Sequence, residues 1–181
     1  SMLAFRLFAV GLVALTVSSV FAQDRDIVFG ARAGVTLPTD ADTRRIFGDQ
    51  WFSFGLTPFR NEAKGGIRQS ASFNITTRNS NGNRLALFRP SYGLAKTLGD
   101  DEASFVTYIA GRVGLVYADY AFNDIGGRIS GKKVGWGGNV EFGMVFNRNF
   151  ILSARYDMMT KFEGFNFNGL TLEATFRIGS F

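Results

Sequence analysis

The sequence predicts an all-β chain that closes as an eight-stranded antiparallel up-and-down barrel spanning a membrane, and three observations carry that reading. Residues 27–181 fall into eight segments in which apolar and polar side chains alternate, the two-residue period of a strand with unlike faces. The chain holds 20 Phe and 22 Gly but only 3 Pro, with a mean hydropathy of +0.05. After residue 22 no apolar run is long enough for a membrane helix. A barrel whose lipid-facing and inward residues alternate has this cancelling average. The third observation is at the front. Met2 to Ala22 has an early positive charge at Arg6, an apolar run over 7–17 and a Val20-Phe21-Ala22 ending, the three-part layout of a secretory signal cleaved after Ala22. That apolar core is short against the roughly 20 residues of a spanning helix. The expected organisation is a signal peptide over 1–22, with Ser1 ahead of Met2 read as a cloning remnant, and one barrel domain over 23–181.

The first segment, 27–36, puts Phe29, Ala31, Ala33 and Val35 on one face and Gly30, Arg32 and Gly34 on the other. A polar excursion over 38–50 follows, with one or two helical turns expected over 41–47. The second segment, 51–60, carries Phe52, Phe54 and Leu56 outward and tolerates Pro58 only near its end. After a short turn at 61–65, the third segment, 66–78, sets Arg68, Ser70, Ser72, Asn74 and Thr76 against Ala71, Phe73 and Ile75. Residues 79–83 contain Asn81-Gly82, a pair that readily takes the positive φ values of a tight hairpin. The fourth segment, 85–97, is interrupted by Pro90, which blurs its faces. A turn at 99–102 leads to the fifth, 104–121, with Phe105, Ile109, Val113, Leu115 and Tyr117 opposite Arg112 and Gly114. Residues 123–131 read as a Gly-rich loop. The sixth segment, 133–146, has the sharpest alternation: Val134, Trp136, Val140, Phe142, Met144 and Phe146 out, and Gly135, Gly137, Asn139, Glu141 and Gly143 in. A three-residue link at 147–149 joins it to the seventh, 150–161, and residues 163–168 lead to the last strand. There Leu170, Leu172, Ala174, Phe176 and Ile178 oppose Thr171, Glu173, Thr175 and Arg177.

Directly opposed residues of a hairpin share a face, so the three-residue link fixes the register of segments six and seven. It places Glu141 opposite Arg155 and Asn139 opposite Asp157, all pointing inward. Inward charges in a narrow barrel must pair, because an isolated buried ion costs several kcal/mol. The expected lumen is a charge network of Arg32, Arg112, Glu141, Arg155, Asp157, Glu173 and Arg177. An aromatic girdle is expected at strand ends from Trp51, Tyr117, Trp136, Phe146, Phe150 and Phe162.

On the signal segment, the eight alternating segments and the C-terminal Phe, the chain resembles the small eight-stranded outer-membrane barrels of the OmpA/OmpX/OmpW type of Gram-negative bacteria. The resemblance implies a bacterial outer-membrane location, with outer-membrane lipid and lipopolysaccharide as surroundings. It also implies the barrel-assembly machinery as a partner during biogenesis, with Phe176 and Phe181 as parts of the assembly signal. Phe181 falls out of step with Phe176 and Ile178, and a bulge near Gly179 would restore the phase.

Chemistry is read by exclusion. With no His, the usual general base at neutral pH is missing, and Ser153 has no visible base. Glu141, Asp157 and Glu173 each have an Arg candidate nearby, which favours ion pairing over acid–base work. With no Cys there is no thiolate metal site. Asp40 and Asp42 open like a calcium loop, but Arg44, Arg45 and Trp51 stand where further ligands and the Gly would be needed. The formal net charge of +5 is scattered and forms no nucleic-acid patch. No enzyme and no cofactor are expected. The leading reading is a structural or surface-interaction barrel with a side-chain-filled interior. Its alternative is a narrow conduit for small, hydrophobic molecules, suggested by Phe47, Trp51, Phe52, Phe165 and Phe167 near the outer loops. A soluble lipocalin-like carrier, with apolar residues inward, is the third reading.

Overall fold

In a computed structural model, described for residues 27–60, 66–98, 105–146 and 149–180, the alternating segments become β1 (Ile27–Pro38), β2 (Trp51–Arg60), β3 (Ile67–Ser80), β4 (Asn83–Leu98), β5 (Phe105–Asp124), β6 (Gly127–Phe146), β7 (Phe150–Met159) and β8 (Gly169–Ser180). Each strand pairs antiparallel with its sequence neighbour, and β1 pairs with β8, so the sheet closes and leaves no free edge. The expected signal segment and Phe181 lie outside the described residues.

Pattern explains pairing. Phe52, Phe54 and Leu56 on β2, Trp136, Val140 and Phe142 on β6, and Leu170, Leu172 and Phe176 on β8 all point outward and stay exposed. Large apolar side chains exposed on every side of a closed sheet would precipitate a soluble protein; in a bilayer they form the lipid-facing belt. Their partners one residue away, such as Arg32, Asn74, Glu141, Arg155 and Glu173, are buried inward. This orientation is the reverse of a lipocalin-like carrier, and that reading is set aside.

Local chemistry fixes the turns. Asn81 and Gly82 take φ of 51° and 78° between paired Ser80 and Asn83, the two positive values a tight hairpin asks for. Between β6 and β7, the three-residue link gives Glu141 opposite Arg155 and Asn139 opposite Asp157. In the closing pair the register slips by one residue between Phe29 and Gly30, so β8 carries a bulge at Ile178, next to Gly179. Two glycines make room for rings: Tyr108 lies over its cross-strand partner Gly143, and Tyr120 over Gly131, in the space a Cβ would fill.

One segment behaves differently from its sequence reading. Residues 123–131 are not a loop; β5 and β6 stay paired up to Asp124 and Gly127, joined by a two-residue turn. Glycine content suggested a loop, but Tyr120 opposite Gly131 and Phe122 opposite Ile129 keep the ladder going. The outcome is a hairpin of two 20-residue strands beside strands of 10 and 12 residues.

The 39–50 connection carries α1 (Ala41–Phe47). Asp40 caps its start, accepting from the Thr43 amide at 2.9 Å and the Thr43 hydroxyl at 2.7 Å. Gly48, at φ 86°, ends it and donates its N–H to the Arg44 carbonyl at 2.7 Å. Asp40 thus caps the helix, and Asp42 pairs with Arg45 at 3.2 Å.

Candidate functional site

Inward positions on six strands supply a continuous chain of alternating charge. Arg112 Nη1 donates to Glu141 Oε2 at 2.6 Å, and Arg32 Nη2 donates to Glu141 Oε1 at 2.5 Å. Tyr108 also donates its hydroxyl to Glu141. Arg32 reaches on to Glu173 at 3.0 Å, Arg155 Nη1 donates to Glu173 at 2.7 Å, and Arg155 Nε donates to Asp157 at 3.0 Å. Arg89 closes the series on Asp157 at 2.7 Å and donates to Thr76 Oγ1 at 2.5 Å. Asn74 and Thr171 take up remaining capacity, at 2.9 Å to Arg155 and 3.1 Å to Asp157. Such dense, charge-assisted pairing lets ions persist out of contact with bulk water.

Six of the seven expected network residues, Arg32, Arg112, Glu141, Arg155, Asp157 and Glu173, meet in this chain. Arg177 does not join it: it is half-buried, makes no ion pair among the described residues, and sits at the bulge where inward alternation ends. Arg89 is the member that the sequence reading missed. Pro90 blurred the faces of β4, yet the burial of Leu85, Leu87 and Arg89 at odd positions keeps a regular period through it.

At the end of the barrel that carries α1 and the 160–168 connection, the lumen changes character. Phe47 from α1 meets Phe122 edge-on at 5.7 Å, Phe165 at 6.1 Å and Phe167 at 5.7 Å, and Phe122 meets Phe165 at 5.0 Å. Trp51 and Phe162 pack against Phe167, and Leu85, Leu87, Val116 and Ala118 floor the cluster. Two ties hold the lid: the Thr43 hydroxyl, whose one hydrogen is shared between the Asp40 carboxylate and the Asn166 carbonyl at 2.9 Å, and the Thr39 amide, which donates to the Asn168 carbonyl at 3.0 Å. Below, Tyr108, Ala110, Ala95 and Ile151 form a second apolar cluster.

This cap corrects two members of the expected girdle. Trp51 is 1% exposed and Phe162 5% exposed, because the 39–50 and 160–168 connections fold over the mouth and draw them inward. Trp136, at 69% exposure, faces lipid; Phe146 and Phe150 are half-buried at strand ends, while half-buried Tyr117 falls inside β5, which runs on to Asp124. Phe176 points outward and stacks on Phe150 at 5.0 Å. Phe47, Trp51 and Phe167, read beforehand as lining an entrance, instead fill it; Phe52 points to lipid.

On the rim, Glu163 accepts from Lys133 at 3.2 Å and from the Tyr120 hydroxyl at 3.1 Å. These bonds hold its carboxyl below the ordinary carboxylate range. Asp40 is lowered in the same sense by the Thr43 hydroxyl and amide. Among the described residues, two voids in the lumen measure about 10 Å³, beside Arg89 and Asn139, and about 30 Å³, beside Arg32 and Arg68. A hollow of about 470 Å³ lies on the lipid face between Phe142, Leu152 and Leu172.

A closed eight-stranded barrel with an apolar outward belt and paired charges buried within defines a membrane-spanning β-barrel of the outer-membrane type. The chain matches no protein-family model and no curated protein. Among solved structures it is similar to Neisserial surface protein A, at 14% identity with a TM-score of 0.58 over 86% of this chain and 98% of that one. It is also similar to the N-terminal β-barrel domain of Pseudomonas aeruginosa OprF (12%, TM-score 0.55, covering 86% and 98%) and to Yersinia pestis Ail, the attachment invasion locus protein (16%, TM-score 0.51, covering 84% and 97%). These likenesses are of fold, and every one is to a bacterial outer-membrane barrel.

Proposed function

We propose that this protein is a closed outer-membrane barrel with a structural or surface-interaction role, without catalysis and without a diffusion path. The carrying observation is that the lumen is crossed by the Arg112–Glu141–Arg32–Glu173–Arg155–Asp157–Arg89 chain and then covered by the Phe47 cluster. In barrels of eight strands, side chains suffice to fill the interior. The part offered to a surface partner is the long β5–β6 hairpin, whose tip residue Ile125 is fully exposed. In this reading the belt meets outer-membrane lipid. Exposed Arg84 and Lys132, flanking Asp119 at 2.9 and 3.8 Å, meet lipopolysaccharide at the rim. Phe176, with Phe181, is offered to the barrel-assembly machinery.

Solute flux tests the reading. Vesicles containing the refolded protein should take up small sugars no faster than empty vesicles; uptake that grows with protein content would support a conduit and defeat the closed reading.

A further inference from the structure

Among the described residues, the lower lumen holds more guanidiniums than carboxylates: Arg32, Arg68, Arg89, Arg112 and Arg155 face Glu141, Asp157 and Glu173. The alternating chain employs four of the five. Arg68 is left without a carboxylate among the described residues, although the even positions of β3 turn it inward with Ser70, Ser72 and Asn74. It lines the cavity of about 30 Å³ together with Arg32, Ser70, Tyr108, Arg112 and Glu141.

Around that cavity three guanidiniums meet one carboxylate. Arg68 and Arg112 line the same cavity, where their like charges repel. Arg32, buried at 3% exposure, spends Nη2 on Glu141 and Glu173, while its Nε and Nη1 have no partner. Ser70 accepts from Arg112 Nε at 2.8 Å, which leaves its own hydroxyl hydrogen to donate. Unsatisfied buried donors are costly, and half-buried Arg68 adds a positive charge with no carboxylate beside it among the described residues. One acceptor carrying negative charge answers both.

We propose that this cavity binds one small monovalent inorganic anion of the halide class, held between the Arg32 and Arg68 guanidiniums with the Ser70 hydroxyl as a third donor. Size allows it: a water needs roughly 10–15 Å³, and the cavity offers about 30 Å³. Charge decides between the anion and water, since water fills donors but neutralises nothing. The anion extends the lumen's alternation of charge beyond Arg32 and relieves the repulsion between Arg68 and Arg112.

The probe is sodium bromide, compared with sodium gluconate at equal ionic strength, acting on the refolded full chain in lipid vesicles. The melting temperature should rise with bromide and saturate, as for any ligand that binds only the folded state. The rise should vanish in Arg68→Gln, which lies outside the alternating chain, and persist in Arg84→Gln, which points outward at the rim. Crystals grown in bromide should show an anomalous peak within hydrogen-bond reach of Arg32 and Arg68, a readout that stands even if the Arg68 variant folds poorly. Equal melting in the two salts, a bromide effect that survives Arg68→Gln, or anomalous peaks at the surface alone (an adventitious ion only) would overturn the site.

Discussion

Two regions of this barrel are filled by opposite chemistry: around Glu141 the lumen is filled by Arg32, Arg112 and Tyr108, whereas at the end that carries α1 Phe47 is surrounded by Phe122, Phe165 and Phe167. The polar region is built from inward positions of paired strands. The aromatic region joins inward strand residues, Trp51, Leu85, Leu87, Tyr120 and Phe122, to residues of the connections. Phe47, Phe162, Phe165 and Phe167 belong to α1 and to the 160–168 segment, which are free of the pleat. The polar mesh is therefore part of the barrel wall and should fail with it. The cap is an added lid that can loosen while the wall stands.

Glu141→Ala should break the comparison most severely. It leaves Arg32 with one carboxylate and Arg112 with none, a loss of about 3–5 kcal/mol for a broken buried pair, and denaturant unfolding in vesicles measures it. Asp42→Ala, at an exposed pair on α1, should stay within roughly 0.5 kcal/mol. Equal stability of the two variants would mean that the lumen pairs do not hold the wall together.

A smaller effect is expected in the cap. Phe47→Leu keeps bulk but forfeits edge-to-face contacts, costing roughly 1–2 kcal/mol. That loss should appear as faster proteolysis within 39–50 and 160–168, with global unfolding hardly moved. A variant that unfolds the whole barrel would erase the distinction between wall and lid.

The smallest effect is on pH. Asp40 and Glu163 have carboxyls lowered in the folded state, so their contribution is present above the unfolded carboxylate range and is lost as pH falls through the lowered values. Below about pH 4 the rim ties should weaken and cap proteolysis accelerate. In Glu163→Gln that acceleration should be reduced. An unchanged acid response in this variant would remove Glu163 from the lid.

How far the sequence alone reached follows from the same contrast. The outward faces of β2, β6 and β8 and the Glu141–Arg155 register were legible because a period of two and a three-residue link admit few alternatives. Arg89 was hidden by Pro90, a residue that usually interrupts a strand, and the paired 123–131 segment by its glycines. Trp51 and Phe162 could not be told from a girdle, since an aromatic at a strand end looks the same whether the next connection folds outward or back over the mouth. That choice rests on tertiary contacts such as Thr43 to Asn166, which no local pattern encodes.

Single-channel recording in planar bilayers tests the closed lumen most directly. With the refolded wild-type chain inserted, the current should remain at the bilayer baseline, because both the charge chain and the aromatic cap lie across the path. Stable, reproducible conductance steps from the wild-type protein would contradict it.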